Sequence, residues 1–281
     1  MSATVLSGKE LAASIRAEAA AGAAELAAAG RPPKLAVVVA TADESSAWYV
    51  RSIARAAEKA GITCNVLDLG ADATPGAIRD ALTSLSADET VHGVILQTPL
   101  PQGAKPEDLA GAIASGKDVD GANPLSLGRL AAGLPAFAPA TAEAVVAILD
   151  HYGIELSGRR VAVVGRSTVV GKPAAHLLLD RDATVTICHS RTRDLAAVTS
   201  TADVVVAAVG RAGLITAEHV SPGAVVVDVG TKPTEDGGLA GDVDAATVAG
   251  KAGALTPVPG GVGPVTTALL LRHTVQAATA R

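Results

Sequence analysis

The sequence predicts an α/β protein of two domains, each built on a mostly parallel sheet. Three observations carry this. Short β-branched runs recur along the chain, helix-forming segments separate them, and 281 residues that are 49% apolar and 18% charged suffice for two cores at roughly 100–200 residues per domain. The first element is helical: after Ser7, a candidate N-cap, the segment from Gly8 to Ala29 is rich in Ala, Leu and Glu and stops at Gly30, with Pro32 and Pro33 beyond. Strands follow at Lys34 (KLAVVVA), Thr63 (TCNVLDL) and His92 (HGVILQ). A helix from Ala142 to His151 leads to Gly153, and a second series opens: RRVAVVG from Arg159, ATVTICHS from Ala183, ADVVVAAVG from Ala202 and GAVVVDVG from Gly223. A last helix, from about Val265 to Ala278, is expected to pack back toward the first half. The expected partition is therefore 1–142 together with 264–281 against 143–263, hinged near Glu143. The cleft between them is the expected site, because open parallel sheets bind ligands at the carboxyl ends of their strands.

Composition removes several function classes. With 23 Lys and Arg against 28 Asp and Glu, the net charge is -5, so there is no general field for a polyanion. The aromatic complement is one Trp, two Tyr and one Phe (Trp48, Tyr49, Tyr152 and Phe137), too few for base-stacking platforms. The adjacent Trp48 and Tyr49 are a mild pointer to a site in so poor a background. Cys64 and Cys188 lie far apart without CxxC or His-flanked spacing, which indicates neither a zinc site nor a disulfide scaffold; both read as small strand residues. The N-terminal segment carries acids in its first turns, unlike a signal peptide, and no run approaches the roughly 18 apolar residues of a membrane span. The cytosol is the default compartment.

Directly after RRVAVVG comes GRSTVVGKPAAHLLL, with Gly165 ending a strand and Gly171 opening a helix. A turn with few Cβ atoms lets a phosphate approach the backbone, and a helix N-terminus offers unpaired N–H groups and a favourable dipole. The spacing is not G-x-G-x-x-G, so a plain strand-to-helix turn remains open. The next strand ends in CHSRT, placing Ser190 and Arg191 where an NAD-specific Rossmann protein usually carries an acid for the ribose hydroxyls. A hydroxyl beside a guanidinium suits a 2′-phosphate, with Arg166 as a second cation, so NADP is preferred to NAD. Solvated polar residues at a strand end are the alternative.

The strings GRSTVVGKP, ICHSRT, DVDGANP, VILQTPLP and, most specifically, TPVPGGVGPVT stand in one order along nearly the whole chain. In these the sequence resembles the bacterial bifunctional methylenetetrahydrofolate dehydrogenase/methenyltetrahydrofolate cyclohydrolase family. The resemblance implies a two-domain homodimer with a Rossmann-like NADP-binding domain. It also implies oxidation of 5,10-methylenetetrahydrofolate by NADP and hydrolysis of the 5,10-methenyl cation to 10-formyltetrahydrofolate. By the same resemblance Gly165, Arg166 and Ser167 lie along the cofactor phosphates, Ser190 helps hold the 2′-phosphate, and Thr231 takes a position on the nicotinamide side usually filled by Ile. Tyr49 matches the aromatic that stacks on the folate ring, Gln97 the amide near the reacting carbon, and Asp120 the acid for the pterin's amino group and ring N–H. Pro259, Gly260 and Gly261 belong to a turn lining the substrate cleft. A planar heterocycle does need a flat apolar face, and its donor edge an acceptor carboxylate. Read without the resemblance, Asp118 and Asp120 are loop or cap residues and PGGVGP is a turn.

The chain departs from this pattern on the substrate side. The family's catalytic lysine follows the stacking tyrosine by four residues, and here that position is Ile53. On a helix, Arg51 and Arg55 lie about 200° around from it at about 100° per residue, and Lys59 is more than a turn away. FAPATAEAV from Phe137 carries Ala140, Ala142 and Ala144 in place of Cys, Pro and Gly, and ATADES from Ala40 replaces a Val-Gly turn. Hydride transfer needs alignment and no obligatory proton carrier, whereas hydrolysis needs water placed and protons moved, which isoleucine cannot do. The expectation is an active dehydrogenase with weak or absent cyclohydrolase activity. The alternatives are the full bifunctional enzyme, a non-catalytic folate- or NADP-binding protein, and an NADP-dependent dehydrogenase for another small substrate.

Overall fold

The computed structural model describes residues 3–234 and 237–280. In chain order its elements are β1 (Thr4–Val5), α1 (Lys9–Ala28), β2 (Lys34–Val39), α2 (Glu44–Lys59), β3 (Thr63–Asp68), α3 (Pro75–Ala87), β4 (Gly93–Leu96), α4 (Pro106–Ala110), α5 (Pro124–Ala131), α6 (Ala140–His151), β5 (Arg160–Val164), α7 (Gly171–Leu179), β6 (Thr184–Cys188), α8 (Leu195–Thr199), β7 (Val204–Ala207), β8 (Val225–Asp228), β9 (Lys232–Pro233), β10 (Leu239–Ala240), α9 (Ala245–Val248), β11 (Ala254–Leu255) and α10 (Val262–Thr279). The chain divides into two compact units, one of Met1–Ala12 and Thr141–Thr266, the other of Ala13–Ala140 and Thr267–Arg281.

The second of these holds a three-stranded parallel sheet in the order β3-β2-β4. β2 is central because its run from Leu35 to Val39 is buried throughout, as a parallel strand covered on both faces requires. Its core joins Val38, Val94 and Leu96 to Ile78 and Leu82 of α3 and Leu109 of α4. α2 begins where Asp43 accepts the Ser46 N–H at 2.7 Å, and it buries Ser46, Val50, Ile53 and Ala57, a single stripe at helical spacing.

The other unit is a six-stranded sheet ordered β1-β11-β8-β7-β5-β6, every pair parallel. β5 pairs with β6 on one side and β7 on the other, so the strand order reverses at β5 and opens a crevice at its carboxyl end. Both α/β units of the expected architecture are therefore present, with parallel sheets in each.

The partition expected at the N-terminus is corrected. Residues 3–12 group with the six-stranded sheet and not with residues 13–140. Thr4 and Val5 pair with Ala254 and Leu255, Leu6 donates its N–H to Leu255 O at 2.9 Å, and the Tyr152 hydroxyl donates to Ser7 O at 3.0 Å. A two-residue strand carries no alternation for a sequence pattern to detect. The last helix also divides: its residues through Thr266 group with the six-stranded sheet, and Thr267 onward with the three-stranded one. Among the described residues no helix is long and apolar enough to cross a membrane.

Candidate active site

In the three-stranded unit the site starts at the carboxyl end of β4 (Gly93–Leu96). Gln97 follows β4, its N–H donating to Val38 O at 2.9 Å, and its Nε2 donates to Thr98 O at 2.6 Å. The same carbonyl accepts the Ser46 hydroxyl at 3.1 Å, which ties the start of α2 to the end of β4. One turn along α2 stands Tyr49, whose hydroxyl is hydrogen-bonded to Thr267 and feels the charge of Asp120. Burial first, and then Asp120, push the phenol pKa well up, so Tyr49 is neutral and offers a ring face and a hydroxyl.

The two acids of the DVD string separate in role. Asp118 has no exposed surface and accepts the N–H groups of Ala122 and Asn123, each at 2.9 Å, and the Ser126 hydroxyl at 2.6 Å. It is the brace of the loop. Asp120 is half-buried, and burial, reinforced by the nearby charge of Asp118 and opposed by His273, pushes its carboxyl up to about 7. Gly121 lets the chain turn away at once: its φ is +62°, and a Cβ there would meet the backbone of Ala138 and Pro139. The structure thus brings Tyr49 and Asp120 together.

Ile53, one turn beyond Tyr49, has no exposed surface. Arg51, Arg55 and Lys59 are exposed, so no cation of α2 shares the buried stripe with it. The buried Lys117 is committed to the end of α3, where its Nζ donates to Leu85 O at 3.1 Å and Asp88 O at 2.6 Å.

In the six-stranded unit Gly165 ends β5 with φ +134°, and a Cβ there would collide with the carbonyl of Ala208 at the end of β7. The backbone is bare at the point where the strand order reverses. The Ser167 hydroxyl accepts from Val170 N at 3.1 Å and Gly171 N at 3.4 Å, shaping the turn into α7, which begins without a side-chain cap of its own. Arg166 and Ser167 are exposed in this turn. At the end of β6, His189 N donates to Thr192 Oγ1 at 2.8 Å and Arg191 N to His189 Nδ1 at 3.2 Å, a tight turn that leaves Ser190 and Arg191 exposed. A glycine cradle a Cβ would fill, a nine-residue helix opening on it and a hydroxyl with a guanidinium on the adjacent strand end fit a phosphorylated dinucleotide.

Sequence reasoning missed the acids that organise the neighbouring loops. Asp228 ends β8 and accepts from Gly230 N and Asp242 N, each at 2.9 Å, and from Val243 N at 3.0 Å. Burial raises its pKa and these three N–H groups oppose the rise. Asp242, almost fully buried, accepts from Val209 N at 2.6 Å and Gly210 N at 3.0 Å. The pair therefore fixes the loops after β7 and β8, the second of which carries the exposed Thr231. An acid closing an apolar strand in VVVD, with a second in GDVD, was the available signal. The turn of Pro259, Gly260 and Gly261 lies against the start of α1, where Gly8 N donates to Gly260 O at 2.9 Å.

Residues 6–120 match the catalytic domain of the tetrahydrofolate dehydrogenase/cyclohydrolase family, and residues 139–281 its NAD(P)-binding domain. The chain is 68% identical over 273 residues to Bifunctional protein FolD 1 of Saccharopolyspora erythraea, covering 97% of this chain and 93% of that protein. The bifunctional methylenetetrahydrofolate dehydrogenase/cyclohydrolase of Campylobacter jejuni superposes with a TM-score of 0.95 at 39% identity, over 99% of both chains. The methylenetetrahydrofolate dehydrogenase-cyclohydrolase of Trypanosoma brucei, solved with NADP and an inhibitor, gives 0.94 at 35% identity over 100% of this chain and 98% of that one. With both of its domains matched and relatives aligned along nearly its whole length, the chain belongs to the tetrahydrofolate dehydrogenase/cyclohydrolase family.

Proposed function

We propose that the chain is an NADP-dependent 5,10-methylenetetrahydrofolate dehydrogenase that also hydrolyses the 5,10-methenyl product to 10-formyltetrahydrofolate. The observation that carries this is the near-complete alignment with relatives named bifunctional, in a chain where Gln97 follows β4 and Gly165 follows β5, each at the carboxyl end of a parallel strand. NADP, when bound, supplies the hydride acceptor. The bare turn from Gly165 to Gly171 takes its phosphates, and Ser190 with Arg191 and Arg166 takes the 2′-phosphate. Asp120 accepts from the pterin's amino group and ring N–H, Tyr49 stacks on the ring, and Gln97 stands near the reacting carbon. Pro259, Gly260 and Gly261 line the substrate. Loss of a hydride from the methylene carbon leaves a cation delocalised over the two flanking nitrogens. Water adds to that carbon and releases one proton, and as the bond to N5 breaks the adduct's hydroxyl gives up its remaining proton to become the formyl oxygen while N5 gains one, which yields the 10-formyl compound. We also assign a homodimer, for which light scattering should give the mass of two chains.

Ile53 favours a second reading, in which oxidation proceeds and hydrolysis is weak. A buried aliphatic side chain neither donates nor accepts a proton, and α2 brings no other cation to its face. The bifunctional relatives weigh toward the first reading, and one trace separates the two. With methylenetetrahydrofolate and NADP, reduced cofactor should form without a matching rise in methenyl absorbance; equal accumulation of both selects the second reading. Absence of NADPH altogether would instead indicate a binding protein. Ile53→Lys should accelerate loss of methenyltetrahydrofolate if the second reading holds.

A further inference from the structure

His273 lies on α10, 3% exposed, with its Nδ1 2.8 Å from the carbonyl oxygen of Val119. A carbonyl only accepts, so Nδ1 carries the proton of this bond and the ring orientation is set. Val119 stands between the two acids, and its carbonyl belongs to the planar peptide unit from which Asp120 hangs. Fixing that oxygen fixes the plane. The ring of Phe137 lies 5.0 Å from the imidazole at 35° and packs it in place. On one side of this point Asp118 is braced by three hydrogen bonds, and on the other Gly121 runs tight against Ala138 and Pro139. Among the described residues, the charges that bear on Asp120 are Asp118 on its own loop, which opposes the carboxylate, and His273 on α10, which favours it; the neutral Tyr49 of α2 stands near enough to feel Asp120 in turn.

We propose that His273 is a positioning residue for the folate: it holds the Val119 peptide so that Asp120 presents its carboxylate to the pterin edge. The inference rests on the reading of Asp120 as the pterin's partner. Its test is steady-state kinetics of the full chain with methylenetetrahydrofolate and NADP for the wild type, Asp120→Asn, His273→Phe and His273→Asn. Phenylalanine keeps a ring against Phe137 and loses the donor, so the folate KM should rise about tenfold, the effect of one lost hydrogen bond, with the NADP KM unchanged. Asparagine can place an N–H at the same carbonyl and should return the folate KM to within about threefold of wild type. Should the phenylalanine variant not fold, as judged by its thermal melt, His273→Ala takes its place with the same readouts. An unchanged folate KM, an asparagine variant no better than phenylalanine, or both KM values rising together overturns the inference. If Asp120→Asn itself leaves the folate KM at the wild-type value, the reading of Asp120 fails; if it raises KM while His273→Phe does not, only the role of His273 fails.

Discussion

Asp118 and Asp120 are the same residue type two positions apart, and hydrogen bonding gives them different work. Three donors converge on Asp118, whereas Asp120 lies near enough to Tyr49 for its charge to be felt there, under a burial penalty that pushes its own carboxyl up to about 7. In the proposed function Asp120 accepts from the pterin's donor edge, which calls for the ionised form. The folate kcat/KM should therefore fall about tenfold per pH unit below about 7, measured at fixed saturating NADP, and Asp120→Asn should flatten that limb at a lower level. In the unliganded protein the sign is the opposite. The folded pKa lies above the unfolded value of about 4, so this group's contribution to stability is full below about 4 and is lost as pH rises through about 7. Urea unfolding should show Asp120→Asn stabilising the protein more at pH 8 than at pH 5. A gain that is equal at both values would remove the burial argument. The sequence displayed both acids, but spacing alone cannot tell a brace from a ligand, because the donors that claim Asp118 come from residues 122, 123 and 126.

At the scale of elements, the β5-turn-α7 unit and the loops after β7 and β8 act through backbone geometry. Gly165→Ala would put a side chain at φ +134° and drive it into the Ala208 carbonyl. We expect a stability loss of at least about 1–3 kcal/mol in urea, together with loss of NADP-induced stabilisation. Asp242→Asn exchanges a carboxylate that accepts from Val209 and Gly210 for an amide with a donor of its own. The NADP KM should rise several-fold while the folate KM stays fixed; equal changes in both would show a general collapse. The seven longer strands and the helices α1, α6, α7 and α10 were legible from β-branched runs, helix-forming composition and glycine punctuation, because those signals are local. The carboxylate clamps were not, since the Asp228 and Asp242 side chains bond to backbone groups as many as 15 and 33 residues away.

Across the whole molecule, the N-terminal segment shows where local pattern runs out. Two residues, Thr4 and Val5, extend the six-stranded sheet beside a strand some 250 positions later in the chain. Deleting residues 1–6 should lower the melting temperature of the apo protein and the NADP-bound protein alike, measured by calorimetry; an unchanged melt would show the strand to be dispensable. By itself the sequence determined the α/β class, the alternation of strands and helices, and the glycine turn that ends β5 and opens α7. All are readable because each depends on neighbours a few residues apart. Only tertiary structure decided which acid of the DVD string braces the loop and which lies near Tyr49, where residues 3–12 belong, and that His273 reaches Val119. Those outcomes depend on burial and on hydrogen bonds between segments that only folding brings within 3 Å, and no local spacing encodes them.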